Sequence, residues 1–205
     1  MQLFEGFKNR HYQLALQFFD ETDPVFEELN EIFVAAEWTL EEEPHPDFGF
    51  IYDQITSIGA LASSKITAAC LNQSGLPTRW LDARDIIITD NTYRDGEILW
   101  EETLENAKTK LGPLLTKGGF VLTQGGIGCT TENFTTTLGK GGTDYSAAVF
   151  SYCLGAESMS TWKGKPFVLS ASREVIEKTD DDNIVASKTI ELLQKKGIPL
   201  FLKSP

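Results

Sequence analysis

The residues best equipped for chemistry lie in the stretch FTTTLGKGGTDYSAAVF, Phe134 to Phe150. Lys140 stands between Gly139 and the pair Gly141-Gly142, and Thr143-Asp144 open an apolar, helix-like run. A helix N-terminus offers unpaired N–H groups and roughly half a positive charge. Glycines beside it let a ligand come close to the backbone. A carboxylate could therefore be held by Lys140 and the helix N–H groups, with Asp144 facing an ammonium group or a metal ion. That arrangement would receive an amino acid zwitterion. A surface turn, a capped helix and a solvated lysine would give the same pattern. The loop is not a Walker A phosphate loop, because Gly141 follows Lys140 where Ser or Thr is required and Phe134 stands where Gly is required.

Other candidates carry less. Strand-like GGFVLTQGGIG ends in Gly125, Gly126 and Gly128, a second loop open to a ligand. His11 and His45 have no partners at metal-ligand spacing, so no metal site is expected. Cys70, Cys129 and Cys153 are widely spaced, which argues for a reducing, cytoplasmic setting rather than a disulfide framework. Cys129 reads as a small loop filler, and Asp82 with Arg84 as an ion pair that supports either a pocket or only a strand end. The acidic TDDDN run, Thr179 to Asn183, reads as a solvated turn.

The elements that must position these residues are legible as an alternation. The chain has 205 residues, 41% of them hydrophobic, enough for one domain with a sizeable core. Leu3, Phe7, Leu14, Phe18, Phe26, Leu29 and Phe33 fall near a 3.6-residue period, and ETDP interrupts them, which predicts two helices in a hairpin. A small-residue helix is expected after a Ser57–Gly59 turn, ending at Gly75. Short strands follow in TRWLDA and DIIIT, then a helix in WEETLENAKTKLGPLL. The FVL strand, a helix capped by Thr143 or Asp144, a strand in KPFVLSAS, a helix in SKTIELLQKKG and a last strand in IPLFLK complete the series. This order predicts an α/β fold, with layers of helix around a largely parallel sheet. The net charge of -12 disfavours nucleic acid as a partner, and no basic patch or long apolar run suggests a membrane.

The segment TTTLGKGGTDYSAA closely resembles the TTLGRGGSDYSAA signature of aspartokinases, in the amino acid kinase superfamily. DQITSIGALASSKI, WLDARDIIITD, VLTQGGIGCTTENFTTTLG and SKTIELLQKKGIPLFLKS resemble further family segments in the same order. The resemblance implies a three-layer αβα sandwich around a mainly parallel sheet. Residues 1–205 would form one amino acid kinase-like domain, with a helical part over 1–48, a substrate-site core over 49–205 and no regulatory domain. It implies transfer of phosphate from Mg-ATP to the side-chain carboxylate of L-aspartate, in lysine, threonine and methionine biosynthesis. Lys140 would grip the substrate carboxylate. Thr143, Asp144, Ser63 and Ser64 would contact substrate, with Asp144 the catalytic candidate. Gly125, Gly126 and Gly128 would line the phosphate side. A homodimer is the family's habit.

The departures from the family pattern fall on the chemistry. Its opening strand and lysine-bearing glycine loop have no counterpart. Its glutamate after Gly59 is Ala60, its arginine is Lys140, and Lys163-Gly164 stand where its nucleotide site has Thr-Asp. Lysine lacks the bidentate fork that fits a carboxylate. These changes imply an incomplete or a degenerate copy of the family domain, with weak or absent transfer in the chain as written. A kinase-dead relative that binds aspartate or a similar amino acid as a sensor or scaffold is therefore the alternative.

Overall fold

The computed structural model describes residues 2–43, 45–116, 118–162, 167–169 and 185–203. Helices α1 (Gln2–Ala15) and α2 (Pro24–Glu41) form the expected hairpin. Asp23 caps α2 by accepting the Val25 N–H at 2.9 Å, and Pro24 fits the first turn because it has no N–H to leave unpaired. Phe33 is fully buried, with the rings of Phe4, Phe7, His11 and Tyr12 packed around it. These helices lie against α3 (Phe48–Gln73).

The turn expected at Ser57–Gly59 is absent. Both residues lie inside α3, which starts earlier, capped by the Asp47 carboxylate accepting Gly49 N–H at 2.7 Å. Gly59 weakens the local helix signal. It faces Phe7 of α1, and a Cβ there would stand 3.7 Å from that ring, in ordinary contact.

Beyond α3 come β1 (Thr78–Trp80), a 3-10 turn at Ala83–Asp85 and β2 (Ile88–Thr89). Helix α4 (Trp100–Asn106) continues through a π turn at Ala107–Leu111 into α5 (Gly112–Thr116). Strands β3 (Phe120–Leu122), β4 (Ile127–Thr130) and β5 (Thr135–Thr137) lead to α6 (Gly142–Leu154). Strands β6 (Met159–Trp162) and β7 (Phe167–Leu169), helix α7 (Ser187–Lys195) and strand β8 (Leu200–Lys203) follow.

The strands group into three ladders, β1-β3, β2-β4-β5 and β6-β8-β7. Pairs β1·β3, β2·β4 and β6·β8 are parallel, while β4·β5 and β7·β8 are antiparallel. Ile127 of β4 belongs to the core of α1–α3, whereas Ile87 and Leu138 belong to the core of α6, α7 and β8. The strand layer therefore lies between two helix layers, as expected for an αβα sandwich. Phe150 of α6 packs against all three apolar clusters and joins them.

Two local expectations are corrected. The segment after Gly126 is a β-hairpin rather than an open glycine loop: β4 turns through Asn133, at φ 66°, into β5. Gly128 consequently lies buried in β4, where a Cβ would stand 2.9 Å from Ile87 Cγ2. The cap of α6 is Gly141, neither Thr143 nor Asp144, both of which lie in the first turn. Lys163-Gly164 and the TDDDN run fall outside the described residues. No helix among the described residues is long and apolar enough to cross a membrane.

Candidate functional site

A cavity of about 520 Å³ opens at the N-terminus of α6. One wall is the flank of α3, with Tyr52, Thr56, Ser57 and Ala60. The opposite wall is Gly125, Gly126 and Ile127. The loop Gly139 to Thr143 closes one side, and Thr137 and Arg94 complete the lining.

The glycine loop and the helix start are stitched together. Ser146 Oγ accepts the Gly126 N–H at 3.0 Å and donates to Thr143 O at 2.8 Å. The Leu138 N–H donates to Gly126 O at 2.9 Å. A Cβ on Gly125 would fall 2.6 Å from Thr143 Cγ2, so only glycine permits this approach. Gly141 takes φ 74°, a left-handed conformation that turns the chain into α6. The Lys188 ammonium staples the loop from outside, donating to Leu138 O at 2.6 Å and to Asp95 Oδ1 at 3.1 Å.

Lys140 and Thr143 are exposed at this loop, and both line the cavity. So do Gly125 and Gly126, and these four expected residues are brought together. Four others are not. Ser63 is exposed and donates its hydroxyl back to Gly59 O at 2.6 Å. Ser64 is buried; its Oγ accepts Trp80 Nε1–H at 2.9 Å and Gln124 Nε2–H at 2.8 Å. Gln124 Oε1 in turn accepts the Ala83 N–H at 2.8 Å, so Ser64 belongs to a clasp joining α3 to β1 and the turn after it. Gly128 is within β4. Asp144 is 8% exposed and accepts from Thr161 Oγ1 of β6 at 3.0 Å, away from the cavity lining.

Asp82 and Arg84 do form a bidentate pair, with Arg84 Nη2 2.7 Å from Asp82 Oδ2, and Arg84 also donates to Thr135 Oγ1 at 3.1 Å. The pair supports the strand ends and does not line the cavity. Cys129 is buried in β4, and burial raises its thiol pKa, so little of the reactive thiolate forms there. Among the described residues no cluster of three or more His, Cys, Asp or Glu side chains could hold a metal ion.

The place of Arg94 in the lining, and its tie to Asp53, have no clear mark in the sequence. Arg94 adopts φ 73°, and its N–H donates to Asp53 Oδ2 at 2.8 Å. Its guanidinium carbon lies 5.0 Å from the centre of the Tyr52 ring. Asp53 is fully buried; it also accepts the Thr137 N–H at 2.8 Å and the Thr137 hydroxyl at 2.7 Å. Asp53 therefore ties α3, β5 and the Arg94 loop into one frame. The loop NTYRDG reads only as a polar turn, and its anchor lies 41 residues earlier.

The amino acid kinase family model matches residues 10–203. Lysine-sensitive aspartokinase 3 of Escherichia coli is 32% identical over 124 residues, 60% of this chain and 27% of the relative. An aspartokinase of Chlamydia trachomatis is 27% identical over 195 residues, 94% of this chain and 42% of that protein. The chain thus spans less than half the length of these relatives. The structure of Escherichia coli aspartokinase III in complex with lysine and aspartate superposes with a TM-score of 0.84 at 22% identity, over 98% of this chain and 48% of that one. The same enzyme in complex with aspartate and ADP gives 0.83. These solved structures share the fold, and with the match along nearly the whole sequence the chain belongs to the amino acid kinase family.

Proposed function

We propose that the cavity at the N-terminus of α6 is the acid-substrate site of an aspartate kinase-type phosphotransferase. The observation that carries this is the meeting of Lys140, the first turn of α6 and the Gly125-Gly126 loop on one cavity. Lys140 and the N–H groups of that turn hold a carboxylate of L-aspartate, and Thr143 adds a hydroxyl. Gly125 and Gly126 line the side where the phosphates of Mg-ATP approach. ATP is the phosphoryl donor: a side-chain carboxylate oxygen attacks the γ-phosphorus, the bond to the β–γ bridging oxygen breaks, and ADP leaves. The protein's part is positioning and charge neutralisation. Ser64 and Asp144 serve this site indirectly, Ser64 by fixing α3 and Asp144 by tying the first turn of α6 to β6. The acyl phosphate so formed would lead toward lysine, threonine and methionine. The same reading carries a homodimer in the cytoplasm.

A second reading, acid binding without transfer, is favoured by Ala60. It stands on the α3 wall of the cavity, where it offers no carboxylate to the substrate. ADP release coupled to a dehydrogenase assay, with L-aspartate and Mg-ATP, separates the two. Aspartate-dependent ADP release supports transfer. Calorimetric binding of L-aspartate with neither ADP release nor Mg-ATP binding supports the second reading, and absence of aspartate binding contradicts both.

A further inference from the structure

Among its described lining residues the cavity carries two cations, Lys140 from the glycine loop and Arg94 from the turn after β2. Among its described lining residues there is no aspartate or glutamate. The nearby acids are engaged elsewhere. Asp53 is fully buried behind the lining and accepts three hydrogen bonds, from the Arg94 N–H and from the N–H and hydroxyl of Thr137. Asp95 pairs with Lys188 at 3.1 Å and does not line the cavity. Among the described lining residues a substrate ammonium group would meet only hydroxyls and backbone carbonyls. The Thr56, Ser57 and Thr137 hydroxyls already donate to Tyr52 O, Gln54 O and Asp53 Oδ1, which leaves them as neutral acceptors.

We infer that Arg94 holds a second carboxylate, and that the cavity selects short dicarboxylate dianions by their two negative charges without requiring an ammonium group. This rests on reading the cavity as an acid-substrate site and specifies what that site recognises. Arg94 is prepared for the role. The Asp53 carboxylate fixes its backbone, and its guanidinium is stacked near the Tyr52 ring rather than paired with an acid that lines the cavity. A guanidinium presents a planar fork that fits a carboxylate with two parallel hydrogen bonds. Lys140, a point charge on a flexible stem, then takes the other carboxylate at the helix N-terminus.

The test is calorimetric titration of the full chain with succinate, L-aspartate and L-asparagine. Succinate has both carboxylates without the amine, and asparagine has the amine without the second carboxylate. Succinate is expected to bind within about threefold of L-aspartate or more tightly, and asparagine at least about tenfold more weakly than either. Arg94→Gln and Arg94→Gly, the latter suited to the left-handed backbone, should each weaken succinate and aspartate at least about tenfold and asparagine less than about twofold. The inference is overturned if L-aspartate binds more than about tenfold more tightly than succinate, if the Arg94 variants leave dicarboxylate binding unchanged, or if both variants unfold the protein. Aspartate binding that is lost in Lys140→Ala but untouched in Arg94→Gln sinks this inference and keeps the acid-substrate reading. Binding of none of the three ligands sinks both.

Discussion

The cavity at α6 and the clasp around Ser64 both draw on segments that carry the family resemblance, yet they use polar groups in opposite ways. In the clasp the partners are internal: Ser64, Gln124, Trp80 and the Ala83 N–H satisfy one another across α3, β1 and the following turn. In the cavity the polar groups are held in place by their neighbours while Lys140 and Thr143 stay exposed. A motif match alone does not separate these roles. Burial and the direction of each hydrogen bond do: they place Ser64 inside the fold and leave Lys140 exposed on the cavity, where we propose that it binds.

The comparison can be broken or sharpened by variants whose expected effects on stability fall in sequence. Asp53→Ala should have the largest effect, because it leaves the Arg94 and Thr137 N–H groups without their buried acceptor. A loss of about 3 kcal/mol or more is expected in urea unfolding, with ligand affinity falling as the Arg94 turn loosens. Asp53 thus links the two regions, and a variant that binds normally at parental stability would break that link.

Ser64→Ala comes next. It strips the acceptor shared by Trp80 Nε1–H and Gln124 Nε2–H, at a cost of roughly 1–3 kcal/mol. Once the protein is folded, its affinity for L-aspartate should match the parent's in calorimetry. A selective loss of affinity at parental stability would move Ser64 back among the ligand-contacting residues.

A smaller effect depends on pH. Burial pushes the Cys153 thiol on α6 up to about 11, from an ordinary 9.0, with Lys196 opposing the shift. Above pH 9 the unfolded chain releases this proton while the folded chain keeps it. Folding stability from this group is therefore intact below pH 9 and declines as pH rises toward 11. Urea midpoints at pH 8 and pH 10 should fall further apart in the parent than in Cys153→Ala.

Much of the fold was legible because its cues are local. The apolar period of α1 and α2 and the ETDP break specify the hairpin, and the glycine-lysine loop marks the start of α6. The start of α3 was misread because Gly59 suggests a turn, while in the structure it lies within the helix, facing the Phe7 ring. The β4–β5 hairpin was hidden by the glycines of the loop, although the β-branched run Thr135 to Thr137 and the turn residue Asn133 were its signal. At the proposed site, the glycine loops that carry Lys140, Gly125 and Gly126 marked in the sequence where the cavity lies. Arg94 was not, since its place depends on Asp53 in a distant helix, and Gly128 was misplaced because a strand glycine and a loop glycine look alike in sequence.

The smallest effect on stability tests the central claim most directly. Lys140 is exposed at its loop, so Lys140→Ala should change the unfolding free energy of the free protein by less than about 0.5 kcal/mol. The same change should remove roughly 1.5–3 kcal/mol of L-aspartate binding, which would largely abolish the ligand-induced rise in melting temperature. Thermal denaturation of the parent and Lys140→Ala, each with and without saturating L-aspartate, measures both quantities. The account predicts coincident melting curves without ligand and a much smaller ligand-induced shift in Lys140→Ala than in the parent. An unfolded Lys140→Ala, or one stabilised by aspartate as much as the parent, would contradict it.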